Sequence, residues 1–299
     1  MTTSVRRRGA IAAVVLSTVA GTLLLGLSAP ANARSQTDSR PAATVPDITV
    51  SPAETAWIHK MDHQMGSEIR LHEPQYQTRP SGSPVVMAPD VTQTPGLDVS
   101  GYQGNVDWNS VAANGAAFVY IKATEGTDYT NPYFAQQYNG SYNVGIIRGS
   151  YHFAHPDASS GATQADYFIA HGGGWSGDGK TLPGALDIEW NPSGDACYGM
   201  AGGAMVDWVL SFSNEYHARE GVWPVIYTAT SWWSECTGNQ GDFSSTNPLW
   251  LANYNGSPGT MPYAWGFQTF WQFADSGTFP GDQDYFNGPY SGVQAIANG

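Results

Sequence analysis

Basic residues are scarce in this chain of 299 residues, which has 12 Lys and Arg against 25 Asp and Glu and a net charge of −13. Beyond residue 95 only Lys122, Arg148, Lys180 and Arg219 carry a positive charge. Such an acidic surface repels a phosphate backbone, so the composition argues against nucleic-acid binding. We therefore expect no nucleic-acid partner.

Long apolar runs are missing beyond the first 34 residues, and no later segment approaches the about 20 apolar residues of a membrane-spanning helix. At the start of the chain, Arg6–Arg8 precede an apolar run over residues 9–27, and Ala31–Ala33 has the small-x-small pattern of a cleavage site. We predict a signal peptide over residues 1–33 rather than a membrane anchor, because the run contains several Gly, Ser and Thr. The mature protein is predicted to be secreted, extracellular and without a membrane partner.

Cysteine is equally rare, with Cys197 and Cys236 as the only two. In an oxidising compartment, an even pair is more often a disulfide than two free thiols. Such a bridge would close a loop of about 40 residues, for which the chain-entropy model gives roughly 3–4 kcal/mol. Because the two cysteines have no local partners at ligand spacing, no metal site is predicted there.

Residues 34–95 are predicted to be a leader or linker, since Ser, Thr, Pro, Gln and Ala dominate both ends and do not support an independent core. Between these ends, residues 54–73 predict one helix, because apolar side chains recur about every four residues. These side chains are Trp57, Met61, Met65 and Ile69. His59 and His63 have a metal-ligand spacing, but no third ligand is in register. We interpret the stretch as a short docking or pro-segment helix.

Residues 96–299 are predicted to form one domain of alternating strands and helices. The predicted strands are Leu97–Ser100, Phe118–Ala123, Ile146–Phe153, Gly184–Trp190, Pro224–Thr228, Leu249–Tyr254 and Phe270–Phe273. The predicted helices are Trp108–Asn114, Pro132–Asn143, Ala162–Gly172 and Ala204–Arg219. This alternation predicts an α/β fold with a parallel sheet. We favour a closed (β/α) barrel over an open doubly wound sheet, because no Gly-x-Gly-x-x-Gly loop follows the first strand.

The run Gly184–Trp190 is the most informative stretch, because two carboxylates interrupt its apolar residues. A strand turns alternate side chains to the same side, so Asp187 and Glu189 are expected to point the same way. Two acids in one small environment do not ionise together easily, and a protonated carboxyl beside an ionised one is suited to cleaving a glycosidic bond. A salt-bridged acid pair is the alternative. It is disfavoured because Lys122 and Arg148 are the only basic residues on the predicted strands.

Further polar side chains lie at or near the carboxyl ends of the predicted strands. They are Asp98, Ser100, Lys122, Thr124, Glu125, Tyr151, His152, Tyr227, Asn253, Tyr254 and Gln272. A barrel places its active site at this end of its strands. The sequence therefore predicts that these side chains form a ring around one site.

A series of short motifs runs across residues 95–290. They are Leu97–Gly104, Val106–Trp108, Tyr120–Gly126, Gly149–Phe153, Leu186–Glu189, Trp271–Phe273 and Asp282–Gly288. In content and order this series resembles the Chalaropsis-type lysozymes, glycoside hydrolase family 25. The resemblance implies a modified (β/α) barrel that hydrolyses the β-1,4 bond between N-acetylmuramic acid and N-acetylglucosamine in bacterial peptidoglycan. Glycan strands of peptidoglycan are then the expected partner of a monomeric enzyme.

The resemblance also implies roles for individual residues. Glu189 is the implied general acid and Asp187 its companion, while Asp98 and Asp282 are further acids of the pocket. Asp284 would take the place of Asp282 if the register differed by two residues. The implied substrate contacts are Tyr151, Tyr227, Tyr254 and Gln272. Neither a metal nor an organic cofactor is needed.

In chemical terms, Glu189 would protonate the leaving oxygen, with its pKa raised by the charges of Asp187 and Asp98. Asp187 could attack the anomeric carbon, activate water or orient the 2-acetamido group of the substrate. The resemblance implies retention of configuration by the acetamido route, whereas the spacing of the two acids leaves all three open.

Two other functions compete with a lysozyme. A chitin-directed glycosidase would carry an Asp-x-x-Asp-x-Asp-x-Glu run, but residues 180–183 supply no acid ahead of Asp187. A catalytically silent glycan-binding module would be expected to have lost Glu189 or Asp187, and both are present. The sequence therefore favours an active peptidoglycan hydrolase.

Overall fold

The computed structural model describes residues 44–77 and 92–299. The predicted signal peptide, with its cleavage after Ala33, lies outside these residues, as do residues 34–43 and 78–91 of the predicted leader. Within the described ranges, no helix is both long enough and apolar enough to cross a membrane.

The strands of the described residues form one sheet, and eight of the strands close into a barrel. The strands are β1 (Thr94–Val99), β2 (Phe118–Glu125), β3 (Tyr129–Thr130), β4 (Ile147–Phe153), β5 (Ala185–Asp187), β6 (Val225–Ala229), β7 (Leu249–Ala252), β8 (Phe270–Ala274) and β9 (Asp282–Phe286). The short β3 pairs only with the end of β2 and stands outside the ring. The predicted closed barrel is confirmed.

One barrel strand runs against the others. The seven barrel strands from β1 to β8 are parallel, whereas β9 is antiparallel to both of its neighbours, β8 and β1. The first residue of β9, Asp282, therefore lies at the carboxyl end of the parallel strands. That end is the one on which barrel enzymes build their sites.

The α-helices of the described residues are α1 (Pro52–Met61), α2 (Ile69–His72), α3 (Pro74–Gln77), α4 (Trp108–Ala113), α5 (Phe134–Asn143), α6 (Gly161–Phe168), α7 (Gly202–Glu220), α8 (Thr230–Thr237) and α9 (Tyr290–Asn298). Helices α4 to α8 alternate with strands of the barrel, α1 to α3 precede β1, and α9 follows β9. The long α7 buries the predicted apolar stripe, including Met205 and Phe212, and ends at Gly221 in the left-handed conformation. A π-helical turn, Ile169–Gly173, extends α6.

The predicted helix over residues 54–73 is wrong in its extent. Ser51 and Glu54 form a capping box that starts α1, but the helix ends at Met61, and Asp62 is extended. Gly66, with a φ of 76°, then turns the backbone before α2 begins. The apolar periodicity nevertheless marks a buried face, because Met65 is fully buried against the barrel. We call residues 52–77 the covering segment.

Large aromatic side chains fill the interior of the barrel below its carboxyl end. The ring of Tyr120 lies 4.8 Å from that of Trp250, and the ring of Trp250 lies 5.9 Å from that of Phe270. All three side chains are fully buried. These rings fill the barrel interior, so a substrate site is expected at the carboxyl end and not inside the barrel.

The predicted disulfide joins Cys197 to Cys236, with 5.1 Å between their Cα atoms. It ties the loop that follows β5 to helix α8. In the same region, Trp190 donates from Nε1 to Glu235 of α8 at 3.0 Å. The loop directly after the acid pair is therefore held to the barrel wall at two points.

Candidate active site

Four acidic side chains meet at the carboxyl end of the barrel. Asp98 belongs to β1, Asp187 ends β5, Glu189 follows two residues later, and Asp282 opens β9. Their exposed fractions are 2%, 0%, 1% and 6%, respectively. Antiparallel pairing sets Asp98 directly opposite Asp282. The structure thus brings together all four acids that the sequence analysis selected.

The pair Asp187 and Glu189 is held in a setting that favours the protonated form. Burial raises the pKa of Glu189 to about 8, although the backbone N–H of Gly66 donates to its Oε1 at 2.7 Å. Burial, followed by the charge of Glu189, raises the pKa of Asp187 well above its usual value. Both oxygens of Asp187 and Oε2 of Glu189 have no hydrogen-bond partner among the described residues. These oxygens are buried without a hydrogen-bond partner, so they could bind a substrate only if the cleft opened.

Gln272 joins the other two acids. Its Nε2 donates to Asp98 Oδ2 at 2.9 Å and to Asp282 Oδ2 at 3.0 Å. Burial raises the pKa of Asp98 to about 7, against the lowering effect of hydrogen bonds from Gln272 and Asp284. Because one amide serves both carboxylates, Asp98 and Asp282 are fixed relative to each other.

Asp284, the alternative to Asp282, points toward the barrel interior. Its Oδ1 accepts a hydrogen bond from Nε1 of Trp250 at 3.0 Å. Burial, and then the charge of Asp98, raises the pKa of Asp284 well above its usual value. Asp282, by contrast, borders the open cavity of about 330 Å³ beside the covering segment. This geometry favours Asp282 over Asp284 as the acid that a substrate would meet.

The three tyrosines singled out from the sequence surround Gln272 and the acids. The hydroxyls of Tyr227 and Tyr254 donate to Gln272 Oε1 at 2.7 Å and 2.8 Å. Burial, and then the charge of Asp98, raises the pKa of Tyr151 well above its usual value. All four side chains are buried. They form a rigid polar floor under the acids.

Two members of the predicted ring lie elsewhere. A bulge between Lys122 and Thr124 shifts the pairing of β2 with β4, so that Lys122 pairs with Tyr151 and Thr124 with His152. His152 bonds to Thr124 at 2.8 Å and to Gln164 of α6 at 2.9 Å, outside the barrel wall. Burial lowers the pKa of His152 to about 3, so it stays neutral. Both residues are structural, which is a correction to the prediction.

Ser100 is also structural. Its Oγ accepts a hydrogen bond from the backbone N–H of Tyr102 at 3.1 Å and caps the helical turn Gly101–Gln103. Asn253 stays at the carboxyl end, where its Oδ1 accepts from the hydroxyl of Tyr76 in the covering segment at 2.8 Å.

A buried ionic network beside the site was not predicted. Nζ of Lys122 lies 2.8 Å from Oδ1 of Asp62 and 2.5 Å from Oε2 of Glu125. Burial alone would raise the pKa of Glu125, but Lys122 and two histidines hold it well below its usual range. Sequence periodicity does not find such a network, because its members come from segments far apart in the chain.

The two histidines, His63 and His155, both bond to Oε1 of Glu125, at 2.5 Å and 2.7 Å. This is the one group in the described part of the chain whose His and carboxylate atoms lie within 4.8 Å of one another, as metal ligands would. His63 thus does have partners that its sequence spacing did not reveal. The hydrogen bonds and Lys122 already satisfy Glu125 without a metal ion.

The comparison with known families decides what this site belongs to. The family model described as "Glycosyl hydrolases family 25" matches residues 97–282, a range that contains all four acids. The chain belongs to glycosyl hydrolase family 25. It is therefore a glycoside hydrolase, and the resemblance seen in its motifs is confirmed.

Members of the family with known names are close in sequence. The chain is 52% identical over 208 residues to the N,O-diacetylmuramidase of Chalaropsis sp., a match that covers 68% of this chain and 99% of that protein. It is 42% identical over 302 residues to Lysozyme M1 of Streptomyces globisporus, with 99% and 97% covered. The solved muramidase from Acremonium alcalophilum has a TM-score of 0.67 and 54% identity, and the match covers 69% of this chain and 99% of that one. The matched part of this chain thus corresponds to nearly the whole of that solved muramidase.

Proposed function

We propose that this family 25 hydrolase is a secreted, monomeric lysozyme that cleaves the β-1,4 bond between N-acetylmuramic acid and N-acetylglucosamine in peptidoglycan. The observation that carries the proposal is the buried pair Asp187 and Glu189 at the open end of the barrel. The names of the three similar proteins, two muramidases and a lysozyme, support this substrate. Secretion is supported by the predicted signal peptide and by the disulfide, which suits an oxidising compartment.

In this proposal Glu189 is the general acid. With residues 52–77 in place, burial raises the pKa of Glu189 to about 8. A carboxyl whose pKa stays raised when a substrate buries it in their place keeps its proton at neutral pH and can give it to the leaving glycosidic oxygen. Asp187 lies beside it. Burial favours its protonated form, so it would ionise once the cleft is open to water, and its negative charge would then stabilise the positive charge that develops at the anomeric carbon. This electrostatic role is common to direct attack, water activation and acetamido participation.

Asp98, Asp282 and Gln272 would orient the sugar at the cleavage point. Gln272 is locked by two tyrosine hydroxyls and positions both carboxylates, so the three groups present fixed hydrogen-bonding atoms. Preorganised polar groups of this kind lower the cost of reaching the transition state. Tyr151, Tyr227 and Tyr254 complete the proposed substrate contacts.

The test compares Glu189→Gln with the unchanged enzyme on purified peptidoglycan. Residues 52–77 contact Glu189. The assay therefore uses the barrel after cleavage at a protease site introduced between Gln77 and Thr92 and after removal of that segment. We expect the variant to lose nearly all release of reducing ends while it still binds glycan. Glu215→Gln, on the outer helix α7, is the matched control and should keep full activity. Residual activity of Glu189→Gln within tenfold of the unchanged enzyme would contradict the role of Glu189.

The same barrel distinguishes the competing functions. A lysozyme releases muramic acid reducing ends from peptidoglycan and leaves chitin intact, whereas a chitin-directed glycosidase degrades chitin. A silent binding module degrades neither and does not respond to Glu189→Gln. Mass spectrometry of digests of O-acetylated and de-acetylated peptidoglycan would identify both the cleaved bond and the accepted substrate.

A further inference from the structure

We propose that the covering segment, residues 52–77, is an intramolecular inhibitor that occupies the place of the glycan in the catalytic cleft. The proposal rests on the proposed function, because it assigns a glycan to that cleft. Its basis is the set of contacts that the segment makes with the acids, with the polar floor and with the rims of the site.

The central contact blocks the proton donor. The N–H of Gly66 donates to Oε1 of Glu189 at 2.7 Å, at a distance of 123 residues along the chain. A glycosidic oxygen must come within hydrogen-bond distance of this carboxyl to receive its proton. With Gly66 in place, a substrate oxygen cannot reach Oε1, and Oε2 is buried.

The backbone of the segment also rests directly on the polar floor. Gly66 has a φ of 76°, and a Cβ at this position would lie within 2.8 Å of the hydroxyls of Tyr254 and Tyr227 and of Oε1 of Gln272. Only glycine allows both the left-handed conformation and this close approach. The floor proposed to bind sugar is therefore covered by main chain.

Charged pairs fasten the segment on both sides of Gly66. Asp62 pairs with Lys122 at 2.8 Å, both side chains being fully buried, and Nζ of Lys122 also donates to the carbonyl of His63 at 2.6 Å. On the other side, Arg70 donates from Nη2 to Oδ1 of Asp275 at 3.0 Å. Breaking a buried pair leaves an uncompensated charge, so the pair of Asp62 and Lys122 resists separation. The pair of Arg70 and Asp275 is partly exposed.

Ring contacts extend the cover along the cleft. His59 stacks on Tyr102 with 4.5 Å between ring centroids, and His72 stacks on Trp190 at 4.7 Å with 7° between the planes. Flat aromatic faces are surfaces on which sugar rings also stack. The segment thus covers two aromatic faces that a bound glycan could use.

Tethering makes such a cover effective at modest affinity. A segment joined to its site by a short linker has an effective concentration of ~1 mM. With a dissociation constant of ~10 μM, it would cover the site about 99% of the time. The segment therefore needs no exceptional affinity to suppress activity in the intact chain.

The first test places a recognition sequence for a site-specific protease between Gln77 and Thr92 of the chain from residue 34 onward. Release of reducing ends from peptidoglycan is measured on the intact chain, and then on the cut barrel after the segment has been removed by gel filtration. We expect the intact chain to be at least tenfold less active than the separated barrel. Equal activity of the two, within twofold, would overturn the inhibitor.

Binding separates this inference from the proposed function. Both forms carrying Glu189→Gln are titrated with soluble peptidoglycan fragments, a measurement that needs no catalysis. Weak binding by the intact chain and strong binding by the separated barrel support the inhibitor, whereas equal binding contradicts it. If the separated barrel binds glycan but its unmodified form cleaves none, the proposed function fails and the cover of a glycan site stands.

A variant tests the contact itself in the intact chain. Gly66→Val forces a side chain into the floor, so we expect the uncut variant to approach the activity of the separated barrel. The matched control is Leu71→Gln, which changes an exposed side chain of the same segment and should leave activity low. If Gly66→Val stays as inactive as the uncut parent, the segment does not act through this contact and the proposal is wrong.

A charge swap provides a second, reversible variant. Arg70→Glu sets two carboxylates against each other at Asp275 and should raise the activity of the uncut chain. Adding Asp275→Arg restores the attraction with reversed signs and should lower the activity again. If the segment were merely structural, Arg70→Glu would lower stability without raising activity, and adding Asp275→Arg would not lower the activity again.

Discussion

At the residue scale, the acids of this site owe their raised pKa values chiefly to burial. Burial is the largest cause for Asp98, Asp187, Glu189 and Asp282 alike. The charge of a neighbouring acid comes second for Asp187 and Asp282. For Glu189 it comes after the lowering hydrogen bond from Gly66. The expectation that the charges of Asp187 and Asp98 raise the pKa of Glu189 is therefore corrected: burial raises it, together with the charge of Glu68 in the covering segment. Because the covering segment supplies part of this burial, its departure should admit water and lower the pKa of Glu189.

The raised pKa of Glu189 predicts how the stability of the intact chain depends on pH. An acid whose pKa rises from 4.5 to about 8 on folding stabilises the folded state fully below pH 4.5, and this contribution is lost as the pH rises through about 8. We expect the melting temperature of the intact chain to fall between pH 5 and pH 9. Glu189→Gln should reduce the fall, while Glu215→Gln should not. The prediction would be contradicted if the melting temperatures of the unchanged chain, Glu189→Gln and Glu215→Gln fell by the same amount over this pH range.

At the scale of elements, the antiparallel strand β9 is what completes the site. Its first residue, Asp282, faces Asp98 because the preceding turn passes very close to β1. Gly281 makes this approach possible, since it has a φ of 73° and a Cβ there would overlap the carbonyl oxygen of Asp98. The turn, rather than the strand alone, sets the distance between the two acids.

The close approach at this turn predicts that two glycine substitutions will lower the free energy of unfolding by different amounts. Gly281→Ala and Gly115→Ala both place a side chain at positive φ, which costs ~1–2 kcal/mol. Only Gly281→Ala also meets a neighbour, because a Cβ at Gly115 has nothing within 4 Å. We expect Gly281→Ala to lose a further ~1–3 kcal/mol in the free energy of unfolding, measured with denaturant. Equal losses would show that the turn relaxes without cost.

At the scale of the whole molecule, the disulfide and the covering segment constrain the chain in different ways. The disulfide links two parts of the barrel domain, whereas the segment adds a removable layer over its open end. The first acts on stability, and the second acts on access to the acids.

Removal of the disulfide should therefore lower stability in both the intact and the cut protein. A sequence separation of 39 residues predicts that the double variant Cys197→Ser and Cys236→Ser loses ~3–4 kcal/mol in the free energy of unfolding. Denaturant unfolding of this variant, beside the parent with and without reductant, measures the loss. A change below ~1 kcal/mol would mean that the packing of Trp190 against α8 holds the loop by itself.

Much of the barrel could be predicted from local patterns. Continuous apolar runs identified the seven parallel strands to within a few residues, and the stripe on α7 identified the longest helix. The strand β9 was missed because its sequence, Asp282–Phe286, carries two acids and one glutamine in five positions. Helices α8 and α9 were missed as well.

The sequence by itself determined the order of strands and helices and the acids at the strand ends, because these depend on periodicities within a few residues. Only the tertiary structure decided that Thr124 faces outward, since one bulge in β2 reverses the alternation there. His152 faces outward because it follows the inward-facing Tyr151 on β4. It also decided that Glu189 meets Gly66, a contact between residues 123 positions apart. Burial and charge act through space, so the pKa of the acids and the cover over them depend on segments that no local window contains.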